Sequence, residues 1–217
     1  MLKRIKKFVH YDYIRRQLHL FILKRRLRNK DFTLIASNCV GGAIYHDLGL
    51  KFNSPFINLK LTAKDFLKLL KNFDYYINAQ LSPLYDKNVN YPLGKLNDIV
   101  IHFVHYNSFD EAKRKWDERK NRINLNNLFI IFTNREGCSK EMIYEFDRLP
   151  FENKIIFTNI NDTSIRSNIY IPGFDEDECV GMVMHPIKEK PYLMYYDYFD
   201  YVKWFNKGII KTKKIHL

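Results

Sequence analysis

The fold of this chain is decided by a stretch near its start, FTLIASNCVGGAIY at residues 32–45. The apolar run at residues 32–37 predicts a short buried strand, and the segment beginning at Ala43 predicts a helix. A polar turn that contains two glycines separates them. Because a buried strand that leads directly into a helix is the start of a β-α-β unit, this stretch predicts an α/β fold.

The same alternation continues along the chain. Further strands are predicted at residues 99–104, 127–133, 154–158 and 168–171. Helices are predicted at residues 62–73, 108–123, 139–147 and 192–206, where Thr62 with Asp65 and Ser108 with Glu111 resemble capping boxes. The pattern predicts one three-layer α/β domain at residues 31–217, built on a mostly parallel sheet.

Positive charge is concentrated in a short segment at residues 1–30. This segment holds eleven Lys and Arg residues and one acid, Asp12, so it carries +10 of the formal charge of +12. The remainder of the chain carries only +2. Because a nucleic-acid-binding domain usually spreads its basic surface over the fold itself, this distribution argues against a nucleic-acid partner.

The basic segment is predicted to be an amphipathic helix. Ile14, Leu18, Phe21 and Ile22 follow helical spacing. Two interpretations stay open: the helix lies on an anionic membrane surface, or it packs on the domain with a solvated basic rim. The apolar stretch at residues 18–23 is too short for a transmembrane helix or a signal peptide, so a cytoplasmic protein is predicted. In the membrane interpretation, this protein would lie on the inner face of the membrane as a peripheral protein.

The three cysteines, Cys39, Cys138 and Cys179, are few and widely spaced. They form no zinc-binding pattern, so no metal site is predicted, and a reducing compartment fits best. The acidic run at residues 175–178 resembles a metal motif of sugar-nucleotide transferases. We interpret it instead as the start of a helix, where carboxylates are favoured.

Two reactive side chains are predicted to meet at one edge of the sheet. Cys39 follows the first strand and begins a helix, where the helix dipole favours a thiolate. His105 follows the second predicted strand and is placed to take the thiol proton, with Asp110 or Asn38 as its orienting group. Gly41 and Gly42 would let backbone N–H groups approach an oxyanion. The alternative is that Cys39 is a small buried apolar residue and His105 is structural.

The helix after His105 carries cations in unusual places. Arg119 occupies a position on the apolar stripe of this helix, and Lys115 and Arg122 lie on adjoining positions. A guanidinium there must be paired or must face a cleft. A phosphate or carboxylate ligand and a buried Arg–Asp pair both remain open.

The ordered motifs resemble a bacterial family of unknown function that is often labelled exopolysaccharide or capsule biosynthesis protein. The resemblance extends from Phe32 to about Gly173 and departs at Val40, where an aromatic residue is usual. It rests on the following residues: 32–42, Tyr45, 48–50, 53–55, 91–94, Asp98, His105, Tyr106, Trp116, Arg119, 122–124, Asn153 and Lys154. The resemblance implies work on a surface polysaccharide. The predicted substrate-binding residues are Asn38, Gly41, Gly42, Tyr106, Trp116, Arg119 and Arg122.

The order of cysteine before histidine is more distantly similar to that of capsule acetyltransferases. The leading hypothesis is therefore an acyltransferase that modifies a sugar of a polysaccharide or its precursor. Cys39 and His105 would be catalytic, no cofactor would stay bound, and acyl-CoA would be the donor substrate. The alternatives are a glycosyltransferase that uses a nucleotide sugar and a non-catalytic member of a polysaccharide assembly complex.

Overall fold

The computed structural model describes residues 2–208, and it describes side chains from residue 10 onward. Seven α-helices lie in this part of the chain: α1 (Leu2–Arg26), α2 (Val40–Leu48), α3 (Ala63–Lys71), α4 (Phe73–Asn78), α5 (Phe109–Lys120), α6 (Lys140–Asp147) and α7 (Tyr201–Lys207). Its strands are β1 (Thr33–Ala36), β2 (Leu81–Leu84), β3 (Leu93–Leu96), β4 (Ile99–His102), β5 (Leu128–Thr133), β6 (Lys154–Thr158), β7 (Asn168–Tyr170), β8 (Pro186–Ile187) and β9 (Lys190–Met194). Short 3-10 helices lie at Leu125–Asn127 and Tyr195–Tyr198.

The central sheet confirms the predicted α/β class. Its four strands run in the order β1-β5-β6-β7, and all three pairings are parallel. Both faces of the sheet are covered. Leu34 and Ala36 contribute to one hydrophobic core, whereas Ile35 points into the other. Since successive strand residues alternate between faces, β1 lies between two cores in a three-layer arrangement.

The helix starts follow the predicted capping chemistry. The Thr62 hydroxyl accepts a hydrogen bond from the Asp65 N–H at 3.1 Å, and the Ser108 hydroxyl accepts one from the Glu111 N–H at 3.2 Å. These bonds satisfy backbone donors that have no partner within the helix. The predicted starts of α3 and α5 are thereby confirmed.

The prediction that residues 99–104 form a strand of the parallel sheet is wrong. Strand β4 instead belongs to a separate antiparallel sheet with the order β2-β3-β4. Leu96 pairs with Ile99, so only two residues connect β3 to β4. One of them, Asn97, has a φ of 52°, as tight hairpin turns require. A two-residue loop can join only antiparallel strands, so β3 and β4 form a hairpin and are not successive parallel strands.

Two further helix predictions need correction. The segment 192–206 is not one helix: β9 extends through Tyr192 to Met194 and pairs with β8, a short 3-10 helix follows at Tyr195–Tyr198, and the α-helix begins only at Tyr201. Asp200 then caps α7 by accepting a hydrogen bond from the Lys203 N–H. The acidic run at residues 175–178 lies in turns rather than at the start of a helix.

Helix α1 packs on the domain along one face. Leu23 and Leu27 are buried in the core. The predicted apolar stripe is a different face of the helix, because Ile14, Leu18 and Phe21 are each about half exposed. No helix within residues 2–208 is long and apolar enough to cross a membrane.

Candidate functional site

A cavity of about 380 Å³ opens at the carboxyl ends of β1 and β5. In parallel sheets this is the edge where ligands bind. The cavity is lined by residues of five separate chain segments: Asn38, Cys39, Lys60, Val104, His105, Arg135, Glu136, Met182, Val183 and Met184. The structure therefore brings Cys39 and His105 to one cavity, although they are far apart in the sequence.

Cys39 is the residue before the first turn of α2, and its thiol is not activated. The Sγ atom lies 3.7 Å from the Leu59 carbonyl oxygen, to which it donates. Burial and then the charge of Glu136 raise the pKa of the Cys39 thiol to about 11, and the opposing charge of Lys60 does not compensate. The effect is opposite to the lowering expected from the helix N-terminus, because removal from water outweighs the helix dipole here. The resting group is a neutral thiol.

His105 lines the cavity from the antiparallel sheet and not, as predicted, from the end of a strand of the parallel sheet. It lies in the loop after β4, which belongs to the antiparallel sheet, and its side chain is exposed. Within residues 10–208 the described partner of the Cys39 thiol is Leu59, so no hydrogen bond joins Cys39 to His105. Apo catalytic pairs are often loosely aligned, and the exposed His105 ring is free to turn about its side-chain torsions.

Asn38 holds the sheet edge together. Its amide nitrogen donates to the Thr133 hydroxyl at 2.9 Å, and its amide oxygen accepts from the Val40 N–H at 3.2 Å. These bonds connect the ends of β1 and β5 to the start of α2. Both ends of the Asn38 amide are thus occupied by structural partners rather than by His105.

Gly41 and Gly42 allow α2 to approach its neighbours closely. A Cβ atom on Gly41 would lie 2.9 Å from the Ala36 Cβ atom, and one on Gly42 would lie 3.2 Å from the Asn58 Oδ1 atom. Both glycines are buried and neither lines the cavity. Glycine is required at both positions because α2 packs closely on β1 and on the loop that contains Asn58.

Arg119 is buried without a carboxylate partner among the described residues. Its Nη1 atom donates to the Tyr106 hydroxyl at 2.7 Å, and its guanidinium lies 5.0 Å from the centre of the Phe52 ring. The Tyr106 hydroxyl donates in turn to the Ile57 carbonyl oxygen at 3.1 Å. The expected buried Arg–Asp pair is therefore replaced by a phenol and an aromatic face, which hold the cation through hydrogen bonding and cation–π attraction.

The remaining predicted substrate contacts lie away from the cavity. Trp116 is only 2% exposed and packs edge-on against Phe56 at 5.1 Å between ring centres. Arg122 donates to the Phe52 carbonyl oxygen at 3.1 Å and pairs with Glu118. Because their side chains are engaged in packing and ion pairing, the structure gives both residues structural roles.

Sequence reasoning missed the charged residues of the cavity. Arg135 and Glu136 come two and three residues after the end of β5, so the rule that selected Cys39 after β1 would also have found them. Lys60 lies outside the strands and helices, where it forms an isolated antiparallel bridge with His102, and no pattern in the sequence indicated it. Arg135 and Glu136 are 3.8 Å apart, and Arg135 also donates to the Val180 carbonyl oxygen.

A second cavity of about 220 Å³ shares Lys60 and Glu136 with the first. His102 lines it, and the backbones of His102 and Lys60 exchange two hydrogen bonds of 2.9 Å. Burial, followed by the charge of Lys60, lowers the pKa of His102, so its ring is neutral near pH 7. The Tyr91 hydroxyl lies 3.2 Å from its Nδ1 atom. A neutral imidazole is thus held beside Lys60, which lines both cavities.

No group of three or more His, Cys, Asp or Glu side chains suited to a metal ion occurs within the described part of the chain.

The chain matches the family described as "Domain of unknown function (DUF1919)" over residues 10–206. This chain belongs to the DUF1919 family. A relative from Haemophilus influenzae, named "Uncharacterized protein", is 46% identical over 184 residues, which cover 85% of this chain and 88% of that protein. The DUF1919 match includes the cavity and most of α1, so both are parts of the shared domain.

Proposed function

We propose that this DUF1919 protein is a cytoplasmic acyltransferase that modifies a sugar of a bacterial surface polysaccharide or its precursor. The observation that carries the proposal is the presence of Cys39 and His105 in one cavity at the ligand-binding edge of a parallel sheet. The resemblance of the sequence motifs to proteins labelled for capsule and exopolysaccharide biosynthesis supports the polysaccharide as acceptor.

The proposed reaction has two steps. His105 takes the proton of the Cys39 thiol, and the thiolate attacks the carbonyl carbon of an acyl thioester donor such as acyl-CoA. The donor thiol leaves with the proton from His105, and the acyl group stays on Cys39. His105 then takes the proton of a sugar hydroxyl, whose oxygen attacks the Cys39 thioester. The ester product forms, and His105 returns the proton to the Cys39 thiol.

The charges of the cavity suit such a donor. Lys60 and Arg135 both line the cavity and offer cationic contacts to the phosphates of a nucleotide-containing donor, and Arg135 also pairs with Glu136. Met182, Val183 and Met184 supply an apolar surface for the acyl chain. Because the Cys39 thiol is neutral at rest, the proposed attack requires a base, and His105 is the imidazole that shares its cavity.

Mass spectrometry of the intact protein after incubation with acetyl-CoA tests the proposal. We expect one acetyl adduct on Cys39, and we expect Cys39→Ala and His105→Ala to abolish it. Cys138→Ala and Cys179→Ala are matched controls, because all three cysteines are half-buried and should differ only in their position relative to the cavity. An adduct that persists in Cys39→Ala, or that never forms with any acyl-CoA, contradicts the proposal.

The two cationic residues of the cavity, Lys60 and Arg135, also support a second candidate, a glycosyltransferase that uses a nucleotide sugar. In that case Lys60 and Arg135 hold the diphosphate, Glu136 is the acidic residue beside the acceptor, and Cys39 is structural. Calorimetry with nucleoside diphosphates distinguishes the candidates. Binding that is lost in Lys60→Gln and Arg135→Gln but kept in Cys39→Ala would favour this one. A cavity that neither binds nor reacts would favour a non-catalytic assembly protein.

A further inference from the structure

Helix α1 has a second apolar face that points away from the domain. Its buried face carries Leu23, and Leu27 directly follows the helix; these two residues are 1% and 4% exposed. On the opposite side a stripe with helical spacing remains open to solvent, formed by Tyr11, Ile14, Leu18, Phe21 and Ile22. These five residues, which we call the α1 stripe, are between 47% and 58% exposed. The domain thus uses one side of the helix and leaves the other without a partner among the described residues.

Exposed apolar surface is concentrated on this helix. Eleven large apolar or aromatic residues within residues 10–208 are strongly exposed, and six of them lie on α1. The sixth is Tyr13, which is 61% exposed. Single exposed apolar residues are ordinary, but a contiguous row of them marks an interaction surface.

The chemistry around the α1 stripe is cationic. Residues 13–30 contain seven Arg and Lys residues and no acid. Arg16 and Arg26 are neutralised by Asp197 and Asp200, whereas no ion pair within residues 10–208 involves Arg15, Arg25 or Arg28. The Arg25 guanidinium lies 5.6 Å from the Phe21 ring centre, whereas that of Arg15 lies 3.7 Å from the Tyr192 ring centre on the domain and 5.3 Å from the Tyr11 ring centre. Apolar groups and uncompensated cations are therefore side by side.

We propose that the α1 stripe docks the protein on an anionic phospholipid surface. The apolar side chains would enter the boundary between headgroups and acyl chains, and Arg25 and Arg28 would contact lipid phosphates. Tyr11 and Phe21 are aromatic residues of the kind favoured at that boundary. The helix would lie parallel to the surface, since its opposite face stays packed on the domain through Leu23 and the partly buried Arg16.

Charge complementarity favours the lipid surface over a second copy of this chain. Two α1 stripes packed together would bring two sets of unneutralised arginines into contact, and the repulsion would oppose the apolar gain. An anionic bilayer instead provides an apolar layer beneath a negative layer, which matches the stripe and its flanking cations. The docking does not depend on the chemistry of the cavity and can be tested without it.

Vesicle flotation of the full chain tests the proposal, and the chain offers a matched pair of variants. Leu18 and Leu125 are 58% and 56% exposed, but only Leu18 belongs to the α1 stripe. We expect binding to phosphatidylcholine vesicles that contain phosphatidylglycerol and little binding to pure phosphatidylcholine. Leu18→Glu should weaken partitioning at least about tenfold, because it replaces an inserted apolar group by an anion. Leu125→Glu should bind like the parent protein.

Salt and oligomeric state complete the test. Binding should fall as ionic strength rises, since the screening length shortens from about 10 Å at 0.1 M salt to about 3 Å at 1 M. The circular dichroism of both variants should match that of the parent, because both positions are exposed. No flotation with anionic vesicles, or equal flotation of Leu18→Glu and Leu125→Glu, would overturn the proposal. The proposal would also be overturned if the parent protein did not bind vesicles but formed a dimer, and if Leu18→Glu converted that dimer to a monomer.

Discussion

The Arg16 guanidinium and the Asp197 carboxylate lie 2.8 Å apart, which joins the first helix to a segment 181 residues further along the chain. The Asp197 side chain has no solvent exposure. Arg16 also contacts Asp47, and its Nη2 atom donates to the Tyr196 hydroxyl at 3.0 Å. This network, rather than apolar packing alone, fixes where α1 sits on the domain.

Replacing Arg16 should therefore destabilise the fold. Removing one partner of a buried ion pair leaves an uncompensated charge, so we expect Arg16→Met to lower the free energy of unfolding by about 3 kcal/mol. Arg26→Met is the matched control on the same helix. The Arg26 side chain in its pair with Asp200 is more exposed than Arg16, so this pair should contribute less than about 1 kcal/mol to the free energy of unfolding. Urea denaturation of both variants measures the difference, and equal losses would contradict the buried network.

The same network predicts how stability depends on pH. Burial alone would raise the pKa of Asp197, but the hydrogen bond from His19 and the charge of Arg16 prevail and lower it. A carboxyl whose pKa is lowered by folding stabilises the protein above the pKa of the unfolded state, which is about 4. That stabilisation is lost as the pH falls through the lower pKa of the folded state. We expect the stability difference between the parent and Arg16→Met to be full at pH 6 and to shrink below about pH 4. A difference that is constant down to pH 2 would contradict this assignment.

Alkylation by iodoacetamide should show Cys39 as a slow thiol. With a pKa of about 11, only about one molecule in ten thousand carries the thiolate at pH 7, so the rate should rise with pH throughout the range 7 to 10. Glu136→Gln should speed the reaction because the Glu136 charge raises the pKa, and Lys60→Gln should slow it. A background of Cys138→Ala with Cys179→Ala isolates the Cys39 signal. Rapid alkylation that does not change with pH would show an activated thiolate instead.

Gly41→Ala separates a packing role from an oxyanion role. The added Cβ atom would lie 2.9 Å from the Ala36 Cβ atom, and neither atom can rotate away, so we expect a loss of about 1–3 kcal/mol in the free energy of unfolding. Adding Ala36→Gly should recover part of that loss, as a double-mutant cycle would show. Gly42→Ala should cost less, because its nearest neighbour is a side-chain oxygen of Asn58 at 3.2 Å. Unchanged stability in Gly41→Ala would contradict the packing explanation.

The fold class and much of the secondary structure could be predicted because they depend on local signals. The buried run at β1, the caps at Thr62 and Ser108 and the apolar runs of β5 and β6 are each written within a few adjacent residues. The error at β4 came from treating an apolar run as evidence for a parallel strand. The two-residue connection through Asn97 was the local signal that should have corrected it.

The sequence by itself determined the α/β class, the basic first segment and the cysteine at the sheet edge, since each depends on residue type and spacing over short distances. Only the tertiary structure decided that Cys39 and His105 share a cavity, that burial raises the pKa of Cys39, and that the predicted stripe on α1 faces solvent. These properties depend on which distant segments approach one another. Helical spacing shows that Leu18 and Leu23 lie on different faces of α1, but only contact with the domain decides which face is buried.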